Sequence, residues 1–413
     1  MSISYRSFLR NLPVNSPLVR SFLAVRGFDP GESVNWDAAE SQVFKQLVEC
    51  IAGYEEVTVR DRVIGDLGHI AQLADENGTL QIINVSLDRP AIAAGFADLE
   101  TPEQRALWLH ETHPDKFAEA LEVRFFDDRA SRSTCHDLKI QAEVDRSESA
   151  RQALATRVAD FYRQKLGAGQ ACEVEVIDRY REQSVQVTIY VQDLSNHRIE
   201  FDAGQLHRRR SFPAIEVALI YHPTTGYAET VGKGGQAYHQ QWVADFAAAM
   251  LHQEVSPDRI LPQPYKLNNL LYGVAIHEAA SLGIECIFLK SLTLLNLSTG
   301  FEMTFKSTGR QQRHCVLDQI AQQFPQENPL HRLLLVTQAT ITVHFYPLAG
   351  HRRGRVVSLE LNCKGKSNLG RLEEKYRQLF KKLLPLWGVT ELALDRHSPD
   401  PEGGPDLDYS EAA

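Results

Sequence analysis

A chain of 413 residues exceeds one ordinary hydrophobic core, so two or three domains are expected. Its 43% hydrophobic and 23% charged residues exclude a fibrous or wholly disordered chain, and no run approaches the roughly 18 apolar residues of a membrane span. A formal net charge of −9 excludes wholesale coating of nucleic acid or anionic lipid, which leaves only a local basic patch for any polyanion.

The N-terminal stretch has no apolar core followed by a small-residue cleavage site, and the six cysteines have no CxxC spacing. Both features fit a cytoplasmic protein with thiols used as small apolar groups.

Residues 1–126 read as a mostly helical domain. The segment 35–54 places Val43, Phe44, Leu47, Val48 and Ile51 at helical spacing, with Asn35 or Asp37 as the expected cap and Gly53 as the stop. Thr101-Pro102-Glu103 opens a second helix, and Pro114 divides it from a third. Between the first and second of these helices, "ENGTLQIINVSL" (76–87) reads as a strand and turn around Asn77-Gly78. Residues 127–149 are polar and aperiodic, and are expected to form a loop or linker.

From residue 150 the pattern changes. A helix at 155–169 precedes runs of β-branched and aromatic residues at period two, ending with the strands at 214–223 and 227–235. Trp242, Val243, Phe246, Ala247, Met250 and Leu251 then form one helical stripe. This first α+β unit spans 150–256. A second, 257–395, offers strand pairs at 284–296 with 300–308 and at 333–347 with 355–365. A helix at 314–324 and a long helix from Asn368 complete it. Residues 396–413 are acidic, rich in Pro and Gly, and expected to be disordered.

"AIEVALIYHPTTG" (214–226) and "ATITVHFYPLAG" (339–350) share an ending of Tyr, Pro and Gly, and each precedes a second strand and a helix. Duplication and the shared physics of hairpin turns both account for this. The fold class is α+β: a helical N-terminal region, then an antiparallel β-rich body with covering helices, containing two related strand–strand–helix halves.

Between His351 and Lys382 ten Lys or Arg face three Glu, a local charge of +7. Arg352, Arg353 and Arg355 fall in a turn, while Lys364 and Lys366 precede the last helix, whose first amides would favour a phosphate. His207, Arg208, Arg209 and Arg210 precede the strand at Ala214, and Gly232-Lys233-Gly234-Gly235 precedes a helix without the spacing of a phosphate-binding loop. The eight residues Arg208, Arg209, Arg210, Arg352, Arg353, Arg355, Lys364 and Lys366 are the candidate phosphate contacts. A solvated face of edge cations is the plainer alternative.

His110, Glu111, His113 and Asp115 lie within six residues, yet the spacing is HExH and Pro114 interrupts the helix. His277-Glu278 has no second histidine nearby. Glu360 and Lys364 have the wrong spacing for a nuclease, and Glu200, Asp202, Glu216 and Glu229 have no lysine beside them. No catalytic, metal or cofactor site is assigned. The expected function is a non-enzymatic protein binding nucleic acid, a nucleotide or a partner protein, in a bacterial defence or mobile-element setting. The alternatives are a metal-dependent phosphodiester hydrolase and an assembly subunit with an interface at Trp108, Phe117, Phe125 and Phe126.

Overall fold

The computed structural model describes residues 5–391 except 97, 203, 262–263, 277–278, 298, 309–314, 327, 332–333 and 348–352. The acidic tail at 396–413 and His277-Glu278 lie outside the described residues. The chain divides into two compact units, residues 1–262 with 368–377 and residues 263–367 with 378–413. The helical region and the first α+β segment thus belong to one unit, whereas the sequence set them apart at 127–149.

The first unit opens with α1 (Tyr5–Arg10), α2 (Pro17–Val25), α3 (Glu40–Gly53), α4 (Val57–Ile70), α5 (Glu76–Ser86), α6 (Pro90–Phe96), α7 (Pro102–Thr112) and α8 (Pro114–Asp127). Their apolar faces meet in one core that includes Val43, Leu47, Val63, Ile82, Leu107 and Phe117. Thr101 and Gln104 form the full capping box of α7, as the Thr-Pro-Glu opening predicts. Gly53 closes α3 as expected, but the cap differs. Ala39 precedes the helix without a side-chain cap, while the Asn35 carboxamide accepts from the Asp37 amide.

The strand expected at 76–87 is the helix α5. The Asp75 carboxylate accepts the Gly78 amide at 2.6 Å and caps it, so Asn77-Gly78 forms a first helical turn rather than a hairpin. A Cβ on Gly78 would stand 2.1 Å from the Leu73 carbonyl oxygen, so only glycine fits. The helix buries Gln81, Ile82, Asn84, Val85 and Ser86, apolar and polar alike, and this all-round burial erases the one-sided period that marks a surface helix.

A six-stranded antiparallel sheet follows. Its elements are β1 (Thr134–Asp137), α9 (Glu148–Leu166), β2 (Cys172–Arg179), β3 (Ser184–Gln192), β4 (Asn196–Asp202), β5 (Gln205–Ser211), β6 (Ala214–His222), β7 (Tyr227–Val231), α10 (Gln236–Met250) and β8 (Asp258–Ile260). The sheet order is β2-β3-β6-β7-β1-β8, and β4 and β5 form a separate two-stranded ribbon. The expected linker therefore supplies an internal strand, β1, zipped between β7 and β8. Thr-Cys-His-Asp has little strand character of its own, and the two neighbouring ladders impose it.

One sheet face packs on α9 and α10 around Val187, Ile189, Val217, Leu219, Trp242 and Phe246. The opposite face carries Ala218, Ile220 and Val231 against Phe126 of α8. Arg179, only 4% exposed, sits at the join: it donates to Asp127 at 2.9 Å, Glu182 at 2.5 Å and Gln186 at 3.2 Å. Asn84 of α5 donates to the same Glu182 carboxylate, and Gln186 returns a bond to the Glu122 carbonyl.

In the second unit β9 (Ile284–Asn296), β10 (Glu302–Lys306), α11 (Val316–Gln323), β11 (Leu334–Phe345), β12 (Val356–Asn362) and β13 (Lys366–Ser367) give an antiparallel sheet of order β10-β9-β11-β12-β13. Both expected strand pairs form, β9 with β10 and β11 with β12. The last helix, α12 (Glu374–Leu386), starts six residues later than the sequence suggested, after a short 3-10 turn at Leu369–Arg371. Phe380, Leu383 and Leu384 of α12 are buried as its stripe predicts.

Removing one partner of a buried ion pair strands the others in a medium that cannot solvate them. Arg179→Met should therefore cost about 3–5 kcal/mol, read as a lowered urea midpoint with an unchanged slope. A loss below about 1 kcal/mol would show that the helical layer is held by apolar contact alone.

Candidate nucleic-acid interface

The eight expected phosphate contacts fall into both units. In the second unit, Arg352 lies outside the described residues. Arg353 is exposed before β12, and the Arg355 carbonyl accepts the Phe345 amide at 2.9 Å, extending the ladder. Lys364 and Lys366 lie beyond the other end of β12, where the Gly365 amide bonds the Asn362 carbonyl in a tight turn. Seven residues of strand, about 23 Å, separate the two groups. They stand at opposite ends of β12, and Lys366 precedes α12 by eight residues, so no helix start supports it.

The remaining cations nearby are largely matched. Lys375 pairs with Glu76 at 3.0 Å, Arg377 pairs with Glu374, and Arg371 donates to the Asp128 carbonyl at 2.9 Å.

Arg208, Arg209 and Arg210 have a different setting. The hairpin of β3 and β6 pairs up to Gln192 and Ala214, the Asp193 amide then bonds the Pro213 carbonyl at 2.8 Å, and the two chains continue as β4 and β5. Proline at 213 lacks the N–H that would prolong the ladder, which is where the ribbon leaves the sheet. None of the described residues from 193 to 214 is buried. With seven residues per strand the ribbon is about 23 Å long.

Cross-strand register divides this arm into two faces. His197 opposes Arg210, Ile199 opposes Arg208, and Phe201 opposes Leu206; this face has two guanidinium groups, three large apolar side chains and no acid. Phe201 is 75% exposed, Ile199 58% and Leu206 54%, and the Arg210 guanidinium lies 5.2 Å from the ring centre of Phe212. On the other face Arg198 opposes Arg209 and Glu200 opposes His207, with Arg209 bound to Glu200 at 3.2 Å. Arg208 and Arg210 thus form a pair, while Arg209 points away from them and is partly neutralised.

Sequence reading selected the three arginines and missed their companions. Arg198, His197, Ile199, Phe201 and Leu206 join them only through the β4–β5 register, although the alternation in "HRIEF" and "QLHRRR" was the available signal.

Elsewhere the candidate chemistry is absorbed by structure. Glu111 takes the bidentate grip of buried Arg26 and the His110 ring, while Asp115 pairs with Arg89. Phe117 and Phe126 are buried, and Trp108 and Phe125 pack against the core. In the Gly-Lys-Gly-Gly stretch a Cβ on Gly232 would meet the Trp242 ring at 2.7 Å, so that glycine serves packing. Glu175 and Glu216 flank Glu122, whose carboxyl burial and Glu216 push up against bonds from Tyr190 and Thr188. Among the described residues no group of three or more His, Cys, Asp or Glu is placed to hold a metal ion, and no helix is long and apolar enough to cross a membrane.

No protein-family model matches the chain, and no curated protein resembles it significantly. Any functional reading therefore rests on the chemistry of its own residues.

One buried group titrates in an accessible range. His136 of β1 is fully buried with neither ring nitrogen partnered, and burial, then His239 and Arg259, lower its pKa to about 4. An unfolded histidine titrates near 6.5, so the folded state binds fewer protons between those values. Stability from this site is complete above about pH 6.5 and declines down to about pH 4. The melting temperature of the native chain should accordingly fall relative to His136→Leu between pH 7.5 and 5, and an unchanged difference would contradict the assignment.

Proposed function

We propose that this protein binds nucleic acid through the β4–β5 arm, with Arg208 and Arg210 as its principal phosphate contacts and Arg198 as an auxiliary one from the other face. The observation that carries the reading is the acid-free face: two arginines two residues apart, on a ribbon with no buried residue among those described, in a chain whose net charge is −9. A guanidinium not already paired with a carboxylate can neutralise a phosphate, and the cations condensed on the nucleic acid that it displaces drive association by their release. Arg353, Arg355, Lys364 and Lys366 stand apart from the arm's cations in sequence and supply at most a separate, weaker contact. We place this activity in a reducing cytoplasm, which suits six cysteines without a pairing motif.

A two-stranded ribbon wet on both faces is marginal alone, since nothing covers its apolar groups. Contact with a ligand would remove Ile199, Phe201 and Leu206 from water while phosphates meet the arginines, so the two halves of the face favour the same event. A protein partner would use the apolar groups but would have to supply acids for the guanidinium groups.

The test is the salt dependence of binding to a mixed-sequence duplex of about 30 base pairs. Arg208→Ala with Arg210→Ala should weaken binding at least tenfold at low salt and flatten the log–log slope by about 2. Arg209→Ala, already paired with Glu200, should do less than half of that. Equal affinity and slope in the double variant would overturn the proposal. All three side chains are exposed, so melting temperatures should stay within about 2 °C of the native chain.

A further inference from the structure

Resting on that reading, we infer that the ligand is double-stranded DNA held at its minor groove, and that Phe201 and Leu206 enter a base step there and bend the duplex.

The geometry separates two kinds of group along one face. Phe201 and Leu206 are its last cross-strand pair before the chain reverses, and Gly204, with φ +78°, closes that reversal. Arg208 lies two residues back from Leu206 and Arg210 two further, at steps of about 6.8 Å along the strand. The apolar pair therefore leads and the cations follow, spaced to meet backbone phosphates on either side of a groove the tip has entered.

The side-chain inventory decides between grooves. In the major groove Arg reads guanine, whereas adenine and cytosine are read by Asn, Gln, Asp or Glu, and Ser or Thr read either. This face has no amide, carboxylate or hydroxyl reader, only His197, Ile199, Phe201, Leu206, Arg208 and Arg210. Apolar side chains flanked by arginine match a site chosen by groove width and ease of deformation, where a wedge unstacks one step and the duplex bends towards the major groove. Pyrimidine–purine steps, which unstack most easily, are the expected targets. The exposure of Phe201 gives the wedge its reach: three quarters of its surface lies open at the end of the ribbon. A solvated single strand would stack on the same ring without needing Leu206 on the facing strand.

The experiment uses the full chain and a duplex of about 30 base pairs with a central TA step, carrying a donor and an acceptor dye at its ends. The native chain should bind and raise energy transfer. F201A/L206A should bind within about tenfold of the native affinity but leave transfer at the level of free DNA. R208A/R210A should fail to bind at the same concentrations. A bound native chain that leaves the duplex straight, equal affinity for the matching single strand, or bending retained in F201A/L206A would each overturn this inference while the nucleic-acid reading stands. Loss of a self-associated species in F201A/L206A, with no change on DNA, would also overturn it in favour of protein docking. A native chain that retains neither duplex nor single strand overturns the underlying reading instead.

Discussion

A buried guanidinium organises the first unit. Arg179 ends β2 at 4% exposure, and its accepting oxygens come from three places: the carboxylates of Asp127 at the end of α8 and Glu182 in the turn before β3, and the carboxamide of Gln186 within β3. A charge so deep must be matched in full or its desolvation dominates, and matching it fixes where α8 ends relative to the sheet. Gln81 and Asn84 of α5 complete the shell through Asp127 and Glu182. The helical layer and the sheet accordingly share one compact unit, which ends near residue 262 and not at 127–149.

The same rigidity determines what the arm can do. Val187, Ile189, Val217 and Leu219 are fully buried on paired β3 and β6, so the root of the ribbon is held by a close-packed core. Beyond Pro213 the period-two alternation continues with no core to receive it, and Ile199, Phe201 and Leu206 face water. Large apolar groups clustered on a narrow ribbon mark a surface meant to be covered. On the proposed reading, a firm root with a wet tip would confine the ordering cost of recognition to seven residue pairs.

Much of the architecture was legible because it follows from local rules. The α7 capping box, the stripe of Trp242, Val243, Phe246 and Met250, and the pairs β9–β10 and β11–β12 are each encoded within one or two elements. The misreadings came where surroundings decide. α5 is enclosed on most sides and so lacks a polar face, β1 is a strand because β7 and β8 flank it, and α12 is delayed by a 3-10 turn at Leu369–Arg371. For the site, Arg208 to Arg210 were visible as a run. Which of them share a face depends on pairing with β4, and a one-residue change of register would exchange Arg209 for its neighbours. The density of charge at 351–382 shows the complementary point: counting charge along the chain does not register the strand that parts the cations or the distant Glu76 carboxylate that meets Lys375.

The repeated ending of β6 and β11 has the same lesson at the level of topology. Each strand is central in its sheet, β6 between β3 and β7, β11 between β9 and β12. The orders nevertheless differ, since β2-β3-β6-β7 runs as a meander while β10-β9-β11-β12 places the second strand outside the first. In the first unit the return from β3 to β6 is the exposed arm; in the second, the return from β9 to β11 passes through β10 and α11. Tyr followed by Pro thus stands at the end of a central strand in both sheets. The proposed function draws on the difference between the two returns. A connection that stays a ribbon leaves both of its faces bare, whereas in the second return α11 packs beside β9 and β10. Among the described residues the first return brings cations and apolar groups together on one uncovered face.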